Sequence, residues 1–370
     1  MKNRRSLIFQ KVLLFCALFF LLSPFAAQAE STRDGGKIAV ADAAPARGAQ
    51  ARENRAKVQA GQRKGQAGQR KGQAGTRKAE APKLSVAQKM LASCGRDPRA
   101  AQPEKDFFLE VPDYAYDGTA IVLRFGARGA QSVILELGGK KLRVAGPSGP
   151  QSGSFEALLP VALGAAAPSL PLSLKIVWEG GKEEVMSAPL PLKKRSYPVQ
   201  KLTVDGKFVS PPPEVAEKIK KDRAEIRAAV SRTSRTRHWR LPMARPVPGE
   251  VTSLYGSRRV FNGVPKNPHK GTDFDAEDGE PVRAIATGEV VLVSEHYYGG
   301  NTILVDHGLG VVSAYLHLSA FKVRPGQKVE RGEVIGMVGS TGRVTGPHLH
   351  LSLYVLGENV DAETCLEPAS

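Results

Sequence analysis

The chain has 370 residues, 41% of them hydrophobic, and a formal net charge of +17 from 53 Lys/Arg against 36 Asp/Glu. That length leaves room for more than one domain. The charge is uneven: residues 31–84 hold 13 Lys/Arg against 4 Asp/Glu, or +9, whereas residues 85–370 carry about +5. A basic partner surface spread over the folded part, of the kind nucleic acid would need, is therefore not indicated, and none of the three cysteines stands in metal-type spacing.

In chain order, Lys2, Arg4 and Arg5, the apolar stretch from Val12 to Leu22 and the small-residue Ala27-Gln28-Ala29 predict a signal peptide over residues 1–29. The apolar run ending before Pro24 is too short for a span of about 20 residues, so no stable transmembrane segment is expected after cleavage. The protein is placed in the periplasm or outside the cell. Cys94 and Cys365 remain, an even pair that an oxidising compartment can join or leave free.

Residues 30–84 almost lack large apolar side chains and repeat Gly61-Gln-Arg-Lys-Gly-Gln-Ala from Gly68. They cannot bury enough apolar surface to offset the entropy of ordering, and a disordered basic segment is expected. Its partners would be anionic envelope polymers, held by screened attraction; a solubilising spacer is the alternative. Residues 85–105 read as a short connecting segment. From 106 to 205, runs such as Thr119-Ala-Ile-Val-Leu-Arg-Phe and Ser132-Val-Ile-Leu-Glu-Leu, parted by Gly138-Gly139 and Gly180-Gly181, predict a small β-sandwich. It contains no histidine. A helix follows within 211–232, after Pro211-Pro-Pro, with Val215, Ile219, Ile226 and Val230 near one stripe. Residues 240–364 read as β-branched runs punctuated by glycine. The fold class is mainly β.

The chemistry lies in this last part. His269 and Asp273 stand in Pro268-His-Lys-Gly-Thr-Asp-Phe, His317 in Tyr315-Leu-His-Leu, and His348 and His350 in Gly346-Pro-His-Leu-His. A catalytic zinc site takes three ligands from His and Asp/Glu and leaves a fourth position to water. Two further imidazoles would then be free for proton transfer. From Pro347 to Val355 the sequence alternates strictly, so a strand would put His348, His350, Ser352 and Tyr354 on one face and Leu349, Leu351, Leu353 and Val355 in a core. Pro268 and Gly271 make His269 to Asp273 a loop entering a strand. No His-Glu-x-x-His motif occurs, which excludes a thermolysin-like arrangement.

These segments, together with Tyr255-Gly-Ser-Arg-Arg, Tyr298-Gly-Gly-Asn-Thr and Asp306-His-Gly, resemble the lysostaphin/LytM-type zinc endopeptidases that cut peptidoglycan peptides, over about residues 242–360. The resemblance implies a Zn²⁺ held by His269, Asp273 and His350, with His317 and His348 as catalytic histidines. It also implies a Gly-rich β-sheet peptidase domain. Gly326-Gln-Lys-Val-Glu-Arg-Gly-Glu-Val-Ile-Gly resembles the hairpin of lipoyl-type sandwich domains, which that family shares. The β module loosely resembles the immunoglobulin-like module preceding the peptidase in some members. One departure stands out: many members carry Phe-Glu after the His pair, and this chain has Leu351-Ser352, which puts any supporting role of that Glu in doubt. The expected substrate is a peptidoglycan stem or cross-link peptide, with a D,D-bond first and a glycine-rich bridge second. A silent relative that activates a separate amidase, and a wall-binding structural protein, are the alternatives. His307 is expected to be structural, His238 and His296 to lie at the surface or rim, and Tyr298 and Asn301 to border the groove.

Overall fold

The computed structural model describes residues 83–96, 107–145, 155–232 and 234–369. The signal peptide and the basic repeat segment lie outside the described residues. Helix α1 (Val86–Ser93) begins within the stretch read as a connector. The Ser85 hydroxyl accepts from Gln88 N–H, and the Gln88 side chain accepts from Ser85 N–H in return. Val86, Met90 and Leu91 are buried in the core of the β module that follows.

That module has strands β1 (Phe107–Glu110), β2 (Ala115–Tyr116), β3 (Ala120–Ala127), β4 (Ala130–Leu137), β5 (Lys140–Ala145), β6 (Phe155–Pro160), β7 (Ser169–Trp178) and β8 (Glu183–Lys193). They form a three-stranded sheet, β1-β3-β6, and a five-stranded sheet, β2-β8-β7-β4-β5. The period-two pattern appears directly as burial: β4 buries Val133, Leu135 and Leu137, and β8 buries Met186, Ala188 and Leu190. Leu123, Phe125, Leu135, Leu174 and Leu190 from both sheets share one core.

The chain continues through β9 (Val199–Leu202), the one-turn helix α2 (Gly206–Val209) and helix α3 (Ala216–Val230). Then come β10 (Val251–Ser253), β11 (Arg258–Phe261), β12 (Val264–Pro265), β13 (Thr272–Phe274), β14 (Pro281–Arg283), β15 (Gly288–His296), β16 (Gly300–Gly308) and β17 (Val311–Leu318). The last strands are β18 (Ala320–Phe321), β19 (Lys328–Val329), β20 (Val334–Met337), β21 (Leu349–Val355) and β22 (Glu358–Val360). An antiparallel sheet runs β10-β13-β21-β17-β16-β15-β19, with β22 beside β21. One face of it buries Ile303, Val305, Tyr315, Leu349, Leu351 and Leu353 against Val282 and Ile335 of the small sheet β14-β20-β18 and Val338 just past β20. The opposite face takes α3, whose Ile226, Ala229 and Val230 pack on Leu304, Val312 and Ala314. Among the described residues no helix is long and apolar enough to cross a membrane.

One expectation is corrected here, and one alternative left open by the sequence is resolved. The segment Gly326 to Gly336, read as a hairpin, sends β19 to β15 and β20 between β14 and β18, so its two strands serve different sheets. Cys94 and Cys365 are both free: Cys94 donates to Leu91 O and packs on the sandwich core, whereas Cys365 is buried in the core beneath the large sheet.

The sandwich and the large sheet belong to one compact unit, residues 79–370. Leu158 of β6 is buried in the core beneath the large sheet, and Leu309 beyond β16 is buried in the sandwich core. Arg195 pairs with buried Asp361 at 2.6 Å, and Asp361 N–H donates to Gly118 O. Strand β9, on the connection between the modules, pairs in parallel with β11.

Candidate metal centre

Three of the five residues of interest converge because of strand register. In the antiparallel pair β13/β21, Asp273 lies directly opposite His350. His269 arrives from the loop four residues earlier, and its backbone N–H and C=O are both tied to the segment Tyr255–Ser257 through Ser257 O and Gly256 N–H. Gly271 is needed between them: a Cβ there would overlap the His350 ring at Nε2. The outcome is a tight triangle, with His269 Nε2 3.0 Å from His350 Nδ1, His269 Nε2 3.0 Å from Asp273 Oδ1, and His350 Nδ1 2.8 Å from the same oxygen. All three residues are buried, at 2%, 6% and 8% exposure for His269, Asp273 and His350.

The partners of the outward-facing atoms say which atoms face inward. His269 Nδ1 lies 3.1 Å from Leu254 O and 3.1 Å from Ser253 Oγ, so its proton sits on Nδ1 and Nε2 offers a lone pair. Ser352 Oγ donates to Lys270 O at 2.6 Å and lies 2.9 Å from His350 Nε2, so it accepts from Nε2–H and leaves a lone pair on Nδ1. Arg259 Nη2 donates to Asp273 Oδ2 at 2.7 Å, leaving Oδ1 to the centre. Three electron-pair donors thus meet within 4.8 Å of one another with no donor hydrogen between them. That arrangement is repulsive unless a cation occupies the centre, and one carboxylate with two imidazoles is a donor set that fits a divalent ion. Burial raises the Asp273 carboxyl, but its neighbours His269 and His350 outweigh burial and hold it well below the ordinary range. Burial lowers His350 to about 4, against the pull of Asp273.

His317 and His348 complete the cluster. Their ring centroids are 5.0 Å apart, and His317 lies 5.8 Å from the His350 ring. A backbone irregularity puts His317 there. Between the pairs Ile303↔Tyr315 and Asn301↔Leu318, two residues of β17 oppose one of β16, and His317 has φ 66°. Strict alternation would put His317 on the core face with Tyr315; the extra residue returns it to the face of His350 while Leu318 goes back into the core. A left-handed histidine at such a bulge is a strained conformation of the kind that surrounding structure must hold. The strain is held by His317 N–H donating to Gly299 O and Nδ1–H donating to Thr341 O, with Thr341 Oγ1 in turn bonded to Leu318 O and Asn301 N–H. His348 Nδ1 donates to Gly346 O, and its Nε2 stands 3.9 Å from Asp273 Oδ1. Both rings therefore present Nε2 to the site. Burial first, then the neighbouring His350 and His348, keeps His317 well below its usual value and neutral.

Other residues fall elsewhere. His307 is buried, bonded to Thr287 O and Ser313 Oγ, outside the site. His238 is exposed. His296, expected at the surface, is 3% exposed because α3 covers it, and its Nε2 lies 3.2 Å from Glu225 Oε2. Tyr298 lies beneath the Arg343 guanidinium, which stands 4.7 Å from its ring centroid. Sequence reasoning missed the supporting roles of Ser253, Arg259 and Thr341. For Ser352 a signal was present, since it stands two residues after His350 on the same strand face.

Residues 267–362 match the model of peptidase family M23. The chain is 50% identical over 114 residues to the peptidoglycan DD-endopeptidase ShyA of Vibrio cholerae, covering 30% of this chain and 26% of that protein. It is 33% identical to the catalytic domain of lysostaphin from Staphylococcus simulans, covering 31% of this chain and 90% of that one, with a TM-score of 0.29. A crystal structure of an M23-family chain from Pseudomonas aeruginosa is 29% identical, covers 66% of this chain and 92% of its own, and gives a TM-score of 0.51. The chain carries a peptidase family M23 domain over residues 267–362. It spans about a quarter of the length of the curated relatives it matches.

Proposed function

We propose that the protein is an exported zinc metalloendopeptidase that hydrolyses peptide bonds in peptidoglycan stem or cross-link peptides. The single observation that carries this reading is the buried triangle of His269 Nε2, His350 Nδ1 and Asp273 Oδ1, flanked by two further imidazoles. Those three residues would hold the ion. Bound there, Zn²⁺ supplies Lewis acidity to the scissile carbonyl and makes a water acidic near neutral pH.

The protein's own contribution is proton movement. His317 and His348 each anchor Nδ1–H on a backbone carbonyl, so each has Nε2 free to take the attacking water's proton. The ring that takes it becomes a donor, able to deliver the proton to the leaving amine or to hydrogen-bond the oxyanion. A D,D-bond is the favoured target: ShyA, 50% identical over 114 residues, is named a DD-endopeptidase. A bond in a glycine-rich bridge is second. The alternative, a silent member that binds wall and activates another enzyme, has no specific observation behind it, since all five residues are in place. Export rests on the predicted signal peptide.

Purified protein should bind about one Zn²⁺ and release soluble peptides from purified sacculi. His269→Ala and Asp273→Ala should abolish both, with the cut bond read from the muropeptide mass spectrum. Zinc-loaded protein that leaves sacculi and cross-linked muropeptides intact would defeat the proposal.

A further inference from the structure

Ser352 stands two residues after His350 on β21, and its hydroxyl lies behind the His350 ring. That hydroxyl lies 2.6 Å from Lys270 O and 2.9 Å from His350 Nε2. A serine hydroxyl has one proton to give. The shorter contact is to a carbonyl, which only accepts, so the proton goes to Lys270 and the oxygen receives Nε2–H. Lys270 directly follows His269. The relay therefore links the backbone beside one metal-facing histidine to the far side of the other. Ser352 is 3% exposed, and the Gly271 backbone packs against the same imidazole edge, so solvent cannot easily substitute for the hydroxyl.

We propose that Ser352 is a positioning residue for the metal centre, fixing His350 as the Nε2–H tautomer so that Nδ1 is its ligand atom. The inference rests on the zinc reading above. A neutral hydroxyl passing the hydrogen bond to a carbonyl does the orienting that a carboxylate would do, without adding negative charge beside the ligand. Outer partners of this kind are worth about 10–100-fold in metal affinity.

The test compares the full protein with Ser352→Ala and Ser352→Thr. The first measurement is made without metal: nitrogen NMR of the His350 ring should show Nε2 protonated in the original and Thr proteins and a mixture of tautomers in the Ala variant. The second is Zn²⁺ affinity by chelator competition, which should weaken about 10–100-fold in Ser352→Ala and stay within about threefold in Ser352→Thr. Unchanged thermal melting of the metal-free variants separates this loss from misfolding. A His350 tautomer indifferent to the substitution, or an Ala variant that binds zinc within twofold of the original, would overturn the relay. An original protein showing the Nε2–H tautomer yet binding no zinc would instead remove the peptidase reading and leave the relay standing.

Discussion

Arg259 holds Asp273 through a 2.7 Å contact from Nη2 to Oδ2, and the same nitrogen reaches Ser253 Oγ at 3.3 Å. One guanidinium thus touches the far side of one candidate ligand and the hydroxyl that supports another. Ser253 Oγ in turn donates to Gln200 Oε1 on β9, so the connection between the modules contributes to the support behind His269. The three atoms that face the centre are left with no donor hydrogen between them.

Arg259→Ala should therefore destabilise the metal-free protein strongly, because it leaves a buried carboxylate without its cation. Losses for breaking such pairs are about 3–5 kcal/mol. With zinc bound the loss should shrink, since the ion then neutralises Asp273 from the other side. Urea titrations with and without Zn²⁺ would show whether the two losses differ in that order.

His317→Ala should remove peptide release while leaving zinc in place, because His317 is no part of the triangle. A proton-transfer residue is worth about 10²–10⁴ in rate. Metal content by mass spectrometry beside muropeptide release decides it; a variant that also loses its zinc would give His317 a structural role instead.

Stability should carry a signature of His307. Burial holds it at about 4, below its ordinary 6.5, so the folded state keeps it neutral while the unfolded chain protonates. The stabilisation is thus fully present above pH 6.5 and is lost as pH falls toward 4. The slope is about 1.4 kcal/mol per pH unit, roughly 3 kcal/mol in all. The difference in unfolding free energy between the original protein and His307→Gln should shrink on acidification across that window; a pH-independent difference would remove the assignment.

Leu158→Ala tests the seam between modules. Leu158 lies on a sandwich strand yet is 1% exposed within the core beneath the large sheet. Truncation should cost about 2–5 kcal/mol. The sandwich and the large sheet should melt in one transition in the original protein and separate into two in the variant by calorimetry.

Much of the fold was legible because local pattern sets it. The period-two runs of β4, β8 and β21 appear as alternating burial or as opposite faces of a sheet, and the uninterrupted stretch after Pro211-Pro-Pro is α3 with Ile219 and Val230 inward. The Gly326 to Gly336 stretch was misread because strand partners are not local: its two arms are complementary in pattern to several neighbours, and packing chose different ones.

The residue types at the centre and their motif order were determined by the sequence alone, since side-chain chemistry needs no fold to be read. Tertiary structure decided what those residues do to one another. The β13/β21 register sets Asp273 against His350, one bulged residue turns His317 out of the core, and Ser352, Arg259 and Ser253 dictate which atom of each candidate ligand points inward. These are hydrogen bonds between residues mostly far apart in sequence, and their geometry depends on sheet register, which becomes definite only when the strands pair.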